Sequence, residues 1–123
     1  GTQNVGGKGG AFLSVAIDEG NPTMAEEGLT KEEVYRVINR HLSEARYCYE
    51  KAILTQPNVE GKLVVDFTIA GTGKVKKSAV KTSSVGDAKL DQCVLARLAK
   101  WKFPRPRGRI DVGVLYPFIF RRL

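Results

Sequence analysis

The stretch that decides the fold runs from residue 61 to residue 104 and reads GKLVVDFTIAGTGKVKKSAVKTSSVGDAKLDQCVLARLAKWKFP. From Leu63 to Ile69 apolar residues alternate with mostly polar ones, which is the period of a strand with one buried face. The glycine-bearing segment AGTG predicts a hairpin turn, and KVKKSAVKTSS predicts the strand that returns from it. This part of the chain is therefore expected to form a β-hairpin with one buried face.

The remainder of the stretch predicts an amphipathic helix. Asp87 has the side chain expected of an N-cap, and Pro104 ends the helix because a proline cannot continue it. The apolar stripe of this helix consists of Leu90, Val94, Leu98 and Trp101. The segment RIDVGVLYPFIF at residues 109–120 alternates again and predicts a third strand. It contains Pro117, which has no amide hydrogen for a neighbouring strand and is therefore expected at a sheet edge.

A longer helix is predicted before the hairpin. Thr30 followed by Glu33 has the pattern of a capping box, which satisfies two amide donors at a helix start. The helix is expected to end near TQPN at residues 55–58, and its apolar stripe comprises Tyr35, Ile38, Leu42, Ala45, Tyr49, Ala52 and Ile53. The order of elements predicts an α+β domain in which two helices pack on one face of a three-stranded antiparallel sheet (α-β-β-α-β).

The first 28 residues differ in composition from the rest. The segments NVGGKGG and DEGNPTMAEEG are rich in glycine and small polar residues, so residues 1–28 are expected to form a flexible linker. The apolar run AFLSVAI at 11–17 is a candidate short strand within it. Residues 29–123 are then expected to be the folded domain, which agrees with the size of a single domain.

The charge of the chain is unevenly distributed. Residues 1–28 carry one of the 20 Lys and Arg residues and four of the 13 Asp and Glu residues, so the positive charge belongs to the rest of the chain. Such a surface suits nucleic acid or an acidic partner. No apolar run approaches the roughly 20 residues that cross a bilayer, and no signal-peptide pattern is present. Any anchor or export signal is therefore expected outside this sequence.

Neither enzyme chemistry nor metal binding is predicted. The sequence contains no recognisable carboxylate pair, phosphate-binding loop or Ser/His/Asp set, and the glycines of GTGK lie in a hairpin turn. A zinc site needs about four ligands, whereas the chain offers Cys48, Cys93 and His41. His41 is expected to be an ordinary surface or boundary residue, and no cofactor is expected.

From about residue 29 to residue 120 the sequence resembles the C-terminal domain of TonB-type energy transducers. The resemblance is carried by Glu60-Gly61 before an alternating strand, Gly73-Lys74 in the turn, and Trp101-Lys102-Phe103-Pro104 after the helix. It implies a non-enzymatic domain in the periplasm that is tethered to the inner membrane. Such a domain hands force from an inner-membrane motor, reached through an upstream region, to a protein partner in the outer membrane or periplasm.

A closer resemblance is to the AgmX/PglI-type subfamily of gliding-motility and related envelope machinery. The shared features are a Tyr-Cys-Tyr-Glu box at residues 47–50, a cysteine in the second helix (Cys93), and YPF at residues 116–118. A glycine-rich segment before the domain also fits this group. The resemblance implies a role in gliding motility or envelope transport.

The two cysteines lie in the two predicted helices. The chain has too few ligands for a metal site, and Cys93 has no partner near it in sequence that would make its thiol reactive. Two interpretations remain: a disulfide between the cysteines, or two inert buried thiols. Helices packed side by side on one sheet face approach closely enough for a disulfide between Cys48 and Cys93. The oxidising periplasm, in which a TonB-like domain works, favours the bond.

In TonB-type domains the last strand receives a short extended segment of a partner, so the resemblance implies β-augmentation along residues 109–120. If Pro117 directs its backbone to the open edge, alternate residues do so too. The candidate partner-binding residues are then Arg109, Asp111, Gly113, Leu115, Pro117 and Ile119. The alternative is an edge strand that Pro117 merely protects. The candidate strand at 11–17 is a further occupant of this edge, within one chain or between the chains of a homodimer.

Basic residues cluster at the end of the second predicted helix and just after it. They are a candidate docking surface for an acidic envelope partner, formed by Arg97, Lys100, Lys102, Arg105 and Arg107. The simplest interpretation is a solvated face at a helix C-terminus, where cations are favoured by the helix dipole. Nucleic-acid binding would need exposed aromatic side chains, whereas Trp101 and Phe103 have core spacing. Nucleic acid is therefore not the expected partner, and a basic nucleic-acid-binding α+β domain is the alternative function.

Overall fold

The computed structural model describes residues 15–18 and 20–123. In chain order the elements are β1 (Val15–Asp18), α1 (Lys31–Arg40), α2 (Leu42–Thr55), β2 (Gly61–Ile69), β3 (Val75–Ser83), α3 (Ala88–Leu98), a 3-10 turn (Arg107–Arg109) and β4 (Val112–Arg122). The predicted α+β fold, with helices packed on an antiparallel sheet, is confirmed. Among the helices of the described ranges, none combines the length and apolar character needed to cross a membrane.

Helix α1 begins at the predicted capping box. The Thr30 hydroxyl accepts a hydrogen bond from the Glu33 amide (3.1 Å), and the Glu33 carboxylate accepts one from the Thr30 amide (2.9 Å). The single long helix expected from the sequence is interrupted at His41, where the backbone leaves helical geometry (φ −108°, ψ 5°). This turn places the His41 ring on the indole of Trp101, with 4.7 Å between ring centroids.

The sheet has the strand order β1-β4-β2-β3, and each neighbouring pair is antiparallel. The pairing of β2 with β4 runs without a break from Gly61↔Phe120 to Ile69↔Val112. The three strands expected from the sequence are β2, β3 and β4. The fourth strand, β1, overlaps the candidate strand at 11–17, whose first four residues lie outside the described part of the chain.

The hydrophobic core lies between the sheet and the helices. Strands β2 and β4 alternate between buried and accessible residues, because successive side chains of a strand point to opposite faces. The strands bury Leu63, Val65, Phe67, Ile69, Val112, Val114, Tyr116, Phe118 and Phe120. The helices and the residues that follow α3 bury Val34, Val37, Ile38, Ala45, Tyr49, Leu90, Val94, Leu98, Trp101 and Phe103. The predicted stripe of the second helix is therefore confirmed.

A disulfide joins α2 to α3. Cys48 and Cys93 are bonded, with their Cα atoms 5.8 Å apart and 45 positions apart in sequence. The predicted pairing is confirmed. The bond holds α2 and α3 together on the face of the sheet that the helices cover. Cys48 is buried there.

Strand β4 has a neighbour on each side, which differs from the open edge strand expected from the sequence. Its inner side pairs with β2, and its outer side is occupied by residues 15–18 and 20–28, which we call the arm. The candidate strand at 11–17 was one expected occupant of this edge, and the strand that overlaps it, β1, pairs there within the same chain. The outer edges of the sheet are therefore β1 and β3.

Candidate functional site

The outer side of β4 is the surface on which a second strand is bound. Leu115 directs both its amide and its carbonyl to this side, because it exchanges two hydrogen bonds with Thr23 (3.0 and 2.8 Å). Backbone direction alternates along a strand, so Gly113, Pro117 and Ile119 face the same way. Pro117 contributes only its carbonyl, since it has no amide hydrogen.

The arm runs antiparallel to β4 and follows it over its full length. At one end β1 pairs from Val15↔Arg122 to Asp18↔Ile119. Thr23 pairs with Leu115 in the middle, and at the far end the carbonyl of Gly28 accepts a hydrogen bond from the Arg107 amide (2.9 Å). These contacts make the arm a fourth strand with an interruption between its two paired parts.

The interruption lies where Gly20 meets Pro117. A Cβ atom on Gly20 would lie 2.6 Å from the carbonyl oxygen and 2.7 Å from Cγ of Pro117, which is closer than Cβ atoms of folded proteins approach such neighbours. The Gly20 amide does not bond a β4 backbone group here. It donates instead to the hydroxyl of Tyr116, at 3.3 Å. Only glycine therefore fits at this position, and the hydroxyl of Tyr116 bonds its amide.

The end of the arm is held by an ion pair. Arg107 makes two hydrogen bonds of 2.9 Å to the carboxylate of Glu33, and the same guanidinium donates to the carbonyl of Gly28 at 3.1 Å. The hydrogen bonds from Arg107 and from the Thr30 backbone lower the pKa of Glu33 to about 2, and the pKa of Arg107 is raised. Both groups therefore stay charged over the ordinary pH range.

The six predicted partner-binding residues do not all belong to one strand. Gly113, Leu115, Pro117 and Ile119 lie in β4, and the last three are half-buried. Arg109 and Asp111 precede the strand. Arg109 lies in the 3-10 turn with a left-handed backbone (φ 55°), and Asp111 accepts a hydrogen bond from Lys76 (2.9 Å), which lowers the pKa of its carboxyl group.

The candidate basic docking surface is partly used within the molecule. Arg107 bonds Glu33, as described, and the guanidinium of Arg97 lies over the ring of Tyr47, 5.4 Å from its centroid. The side chains of Lys100, Lys102 and Arg105 are exposed. Trp101 and Phe103, which lie between these residues in sequence, are only 3% and 6% exposed and cannot stack on a base.

His41 belongs to a small polar cluster beside Trp101. Its Nδ1 lies 2.6 Å from a carboxylate oxygen of Glu44, and the Trp101 indole donates to the other oxygen at 3.1 Å. Burial opposes ionisation of Glu44, but these hydrogen bonds outweigh it and lower the pKa of the carboxyl group. Across the described residues, no group of three or more His, Cys, Asp and Glu side chains is placed to hold a metal ion.

Sequence reasoning did not find the residues through which the arm binds. Gly20, Thr23 and Gly28 fall in the segment expected to be a linker, because glycines and small polar residues are typical of flexible chain. Their contacts are made by backbone groups, which every residue carries. The available signal was the apolar run AFLSVAI at 11–17, which overlaps β1 but does not reach Gly20, Thr23 or Gly28.

These features define an α+β domain whose last strand binds an extended segment along its outer side. The chain belongs to the TonB C-terminal family: a match to the family described as Gram-negative bacterial TonB protein C-terminal covers residues 53–121. The predicted family is therefore confirmed. Members of this family are non-enzymatic interaction domains of the Gram-negative periplasm.

A curated relative is Tyrosine-protein kinase MasK of Myxococcus xanthus (strain DK1622). It is 29% identical over 93 residues, which are 73% of this chain and 14% of MasK. The chain thus spans a small part of that protein, and the activity in its name is not transferred to this chain. No solved structure matches the chain.

Proposed function

We propose that this chain is a periplasmic partner-binding domain of a TonB-like trans-envelope energy-transducing protein, with residues 29–123 as its TonB-like C-terminal domain. It binds an extended segment of a protein partner in the outer membrane or periplasm by β-augmentation on the outer side of β4. The upstream region tethers it to the inner membrane and its motor. The observation that carries the proposal is that Leu115 already exchanges both backbone hydrogen bonds with an extended segment, at Thr23.

The surroundings of β4 support this role. Its inner side is held by nine consecutive pairs with β2, so the strand keeps its conformation whatever occupies the outer side. The helices behind it are joined through Cys48 and Cys93. Main-chain hydrogen bonds supply much of the contact in β-augmentation, so guests of different sequence are accepted as long as they are extended.

Relatives of the domain support a setting for it. The resemblance to AgmX/PglI-type proteins supports a gliding-motility or envelope-transport machine. The similarity to part of MasK supports a domain that works as one module of a longer protein. A second copy of this chain is one candidate partner, and the mass of the protein in solution tests for such a homodimer.

The alternative, a nucleic-acid-binding domain, has less support. Base stacking needs exposed aromatic rings, and Trp101 and Phe103 are buried in the core. Arg107 is engaged by Glu33, which removes one cation from the basic surface. A steep dependence of DNA or RNA affinity on salt concentration would contradict the preference for a protein partner.

The test begins with peptides selected for binding from a displayed library of short random sequences. Added to the isotope-labelled chain, such peptides are expected to shift the amide signals of residues 112–122 and of the arm. Shifts confined to residues 97–107 would contradict β-augmentation at β4.

A matched pair of modified peptides makes this test specific. N-methylation at every second residue removes the amide hydrogens that face β4 in one version and those that face solvent in the other. Binding is expected to be lost in the first version only, because a guest strand directs alternate amides to its neighbour. Equal binding of both versions would contradict strand pairing.

A further inference from the structure

The arm is the part of the molecule that the proposed function leaves unexplained, because it lies where a partner strand would bind. Its residue Val15 pairs with Arg122 at the C-terminal end of β4. Its residue Gly28 bonds Arg107, which precedes the N-terminal end of the strand. A guest strand and the arm cannot both bond the outward amide and carbonyl of Leu115. One must leave before the other binds.

The contacts of the arm are of a kind that can be released without unfolding the domain. Ile17 and Met24 are only partly buried against the core, whereas β4 itself buries Tyr116, Phe118 and Phe120. The arm also buries Pro22 and makes backbone hydrogen bonds, such as those of Thr23 and Gly28. A local opening of this segment therefore exposes little apolar surface compared with global unfolding.

The arm also shows what a strand must look like to fit this surface. At Pro117 the space next to the guest backbone is filled by the proline ring and its carbonyl, so only glycine fits at the Gly20 position. The hydroxyl of Tyr116 accepts the amide hydrogen of that glycine, in place of a ladder bond to the backbone of β4. Pairing resumes on both sides, at β1 and at Thr23.

We infer that the arm is a built-in ligand of the β4 surface, and that the partner is an antiparallel extended segment with a glycine opposite Pro117. This inference rests on the proposed function. The partner displaces the arm, and its apparent affinity is reduced by the fraction of molecules in which the arm is docked. The same glycine requirement then selects among extended segments that backbone pairing alone would not distinguish.

The experiment uses the full chain and a labelled synthetic peptide of residues 15–24, VAIDEGNPTM, as the probe. Gly20→Val in the chain undocks the arm, because the larger side chain collides with Pro117. This variant is expected to bind the probe at least about tenfold more tightly than the natural chain does. The matched control Asn21→Val adds valine at the neighbouring exposed position and is expected to behave as the natural chain.

A second variant loosens the arm from its other end. Arg107→Gln removes the side-chain bond to the Gly28 carbonyl, which the probe does not contain, so probe binding is again expected to become tighter. Arg46→Gln, at an exposed position of α2, is the matched control. Hydrogen exchange of the Tyr116 amide, which faces β2, checks that each variant stays folded.

A probe that itself carries valine in place of glycine is expected not to bind the Gly20→Val chain. Equal binding of the glycine and valine probes would overturn the glycine requirement. If the folded Gly20→Val and Arg107→Gln chains bind the glycine probe no more tightly than the natural chain does, the inference that the arm is a built-in ligand is wrong. If library peptides still bind β4 in either case, the proposed function stands and this inference alone fails. If neither class of peptide binds, both fail.

Discussion

Thr23 and Leu115 exchange both of their backbone hydrogen bonds, with N···O distances of 2.8 and 3.0 Å. This reciprocal pair lies at the middle of the outer side of β4, between β1 and the Arg107–Gly28 contact. It turns a segment with the composition of a linker into part of the sheet. The surface on which TonB-like domains are expected to receive a partner is thus occupied by the chain itself.

The amides of Thr23 and Leu115 are expected to be protected from hydrogen exchange to a similar degree, because one opening of the arm releases both. The Tyr116 amide faces β2 and is expected to be more strongly protected, since its release needs a larger opening. Exchange measured residue by residue on the natural chain checks this order. Equal protection of Leu115 and Tyr116 would mean that the arm opens only with the whole domain.

The ion pair of Glu33 with Arg107 predicts a dependence of stability on pH. The folded state lowers the Glu33 pKa from 4.5 to about 2, so this carboxylate contributes stability that is complete above pH 4.5 and is lost as the pH falls toward 2. Glu33→Gln keeps the capping geometry and removes the charge. Its midpoint of thermal unfolding is expected to lie below that of the natural chain at pH 7, and the two are expected to converge near pH 2. A gap that stays constant down to pH 2 would contradict the ion pair as its source.

Reduction of the Cys48–Cys93 bond is expected to destabilise the domain. The bond closes a loop with a sequence separation of 45, so reduction should lower the free energy of unfolding by about 4 kcal/mol through loop entropy. Urea unfolding with and without reductant measures the difference. The double variant Cys48→Ala/Cys93→Ala serves as the control, since reductant should leave it unchanged.

Two glycines with left-handed backbones allow a matched comparison. A Cβ on Gly73 (φ 92°) would lie 2.3 Å from the Phe103 carbonyl oxygen, whereas one on Gly86 (φ 75°) meets nothing within 4 Å. Gly86→Ala is therefore expected to cost about 1 kcal/mol, the conformational term alone, and Gly73→Ala about 3 kcal/mol. Denaturant unfolding of both variants checks the ranking, and equal costs would show that the contact with Phe103 relaxes freely.

Much of the fold could be predicted from local pattern. The alternation from Leu63 to Ile69, the capping box at Thr30 and the stripe ending at Trp101 each report a single element, and the structure contains all three. The disulfide was also predictable, given two cysteines on helices that share one sheet face. The break at His41 was not, because it depends on a ring contact with Trp101, sixty positions away in the chain.

The candidate site also has features that follow from local sequence and features that depend on distant contacts. The sequence alone determines that residues 112–122 form a strand and that Pro117 leaves a gap in its ladder, because alternation and the missing amide are local properties. Only the tertiary structure decides that residues 15–18 and 20–28 fill the outer side of this strand. Their binding depends on backbone hydrogen bonds, which carry no mark in the sequence, and on the absence of a side chain at Gly20 where Pro117 leaves no room.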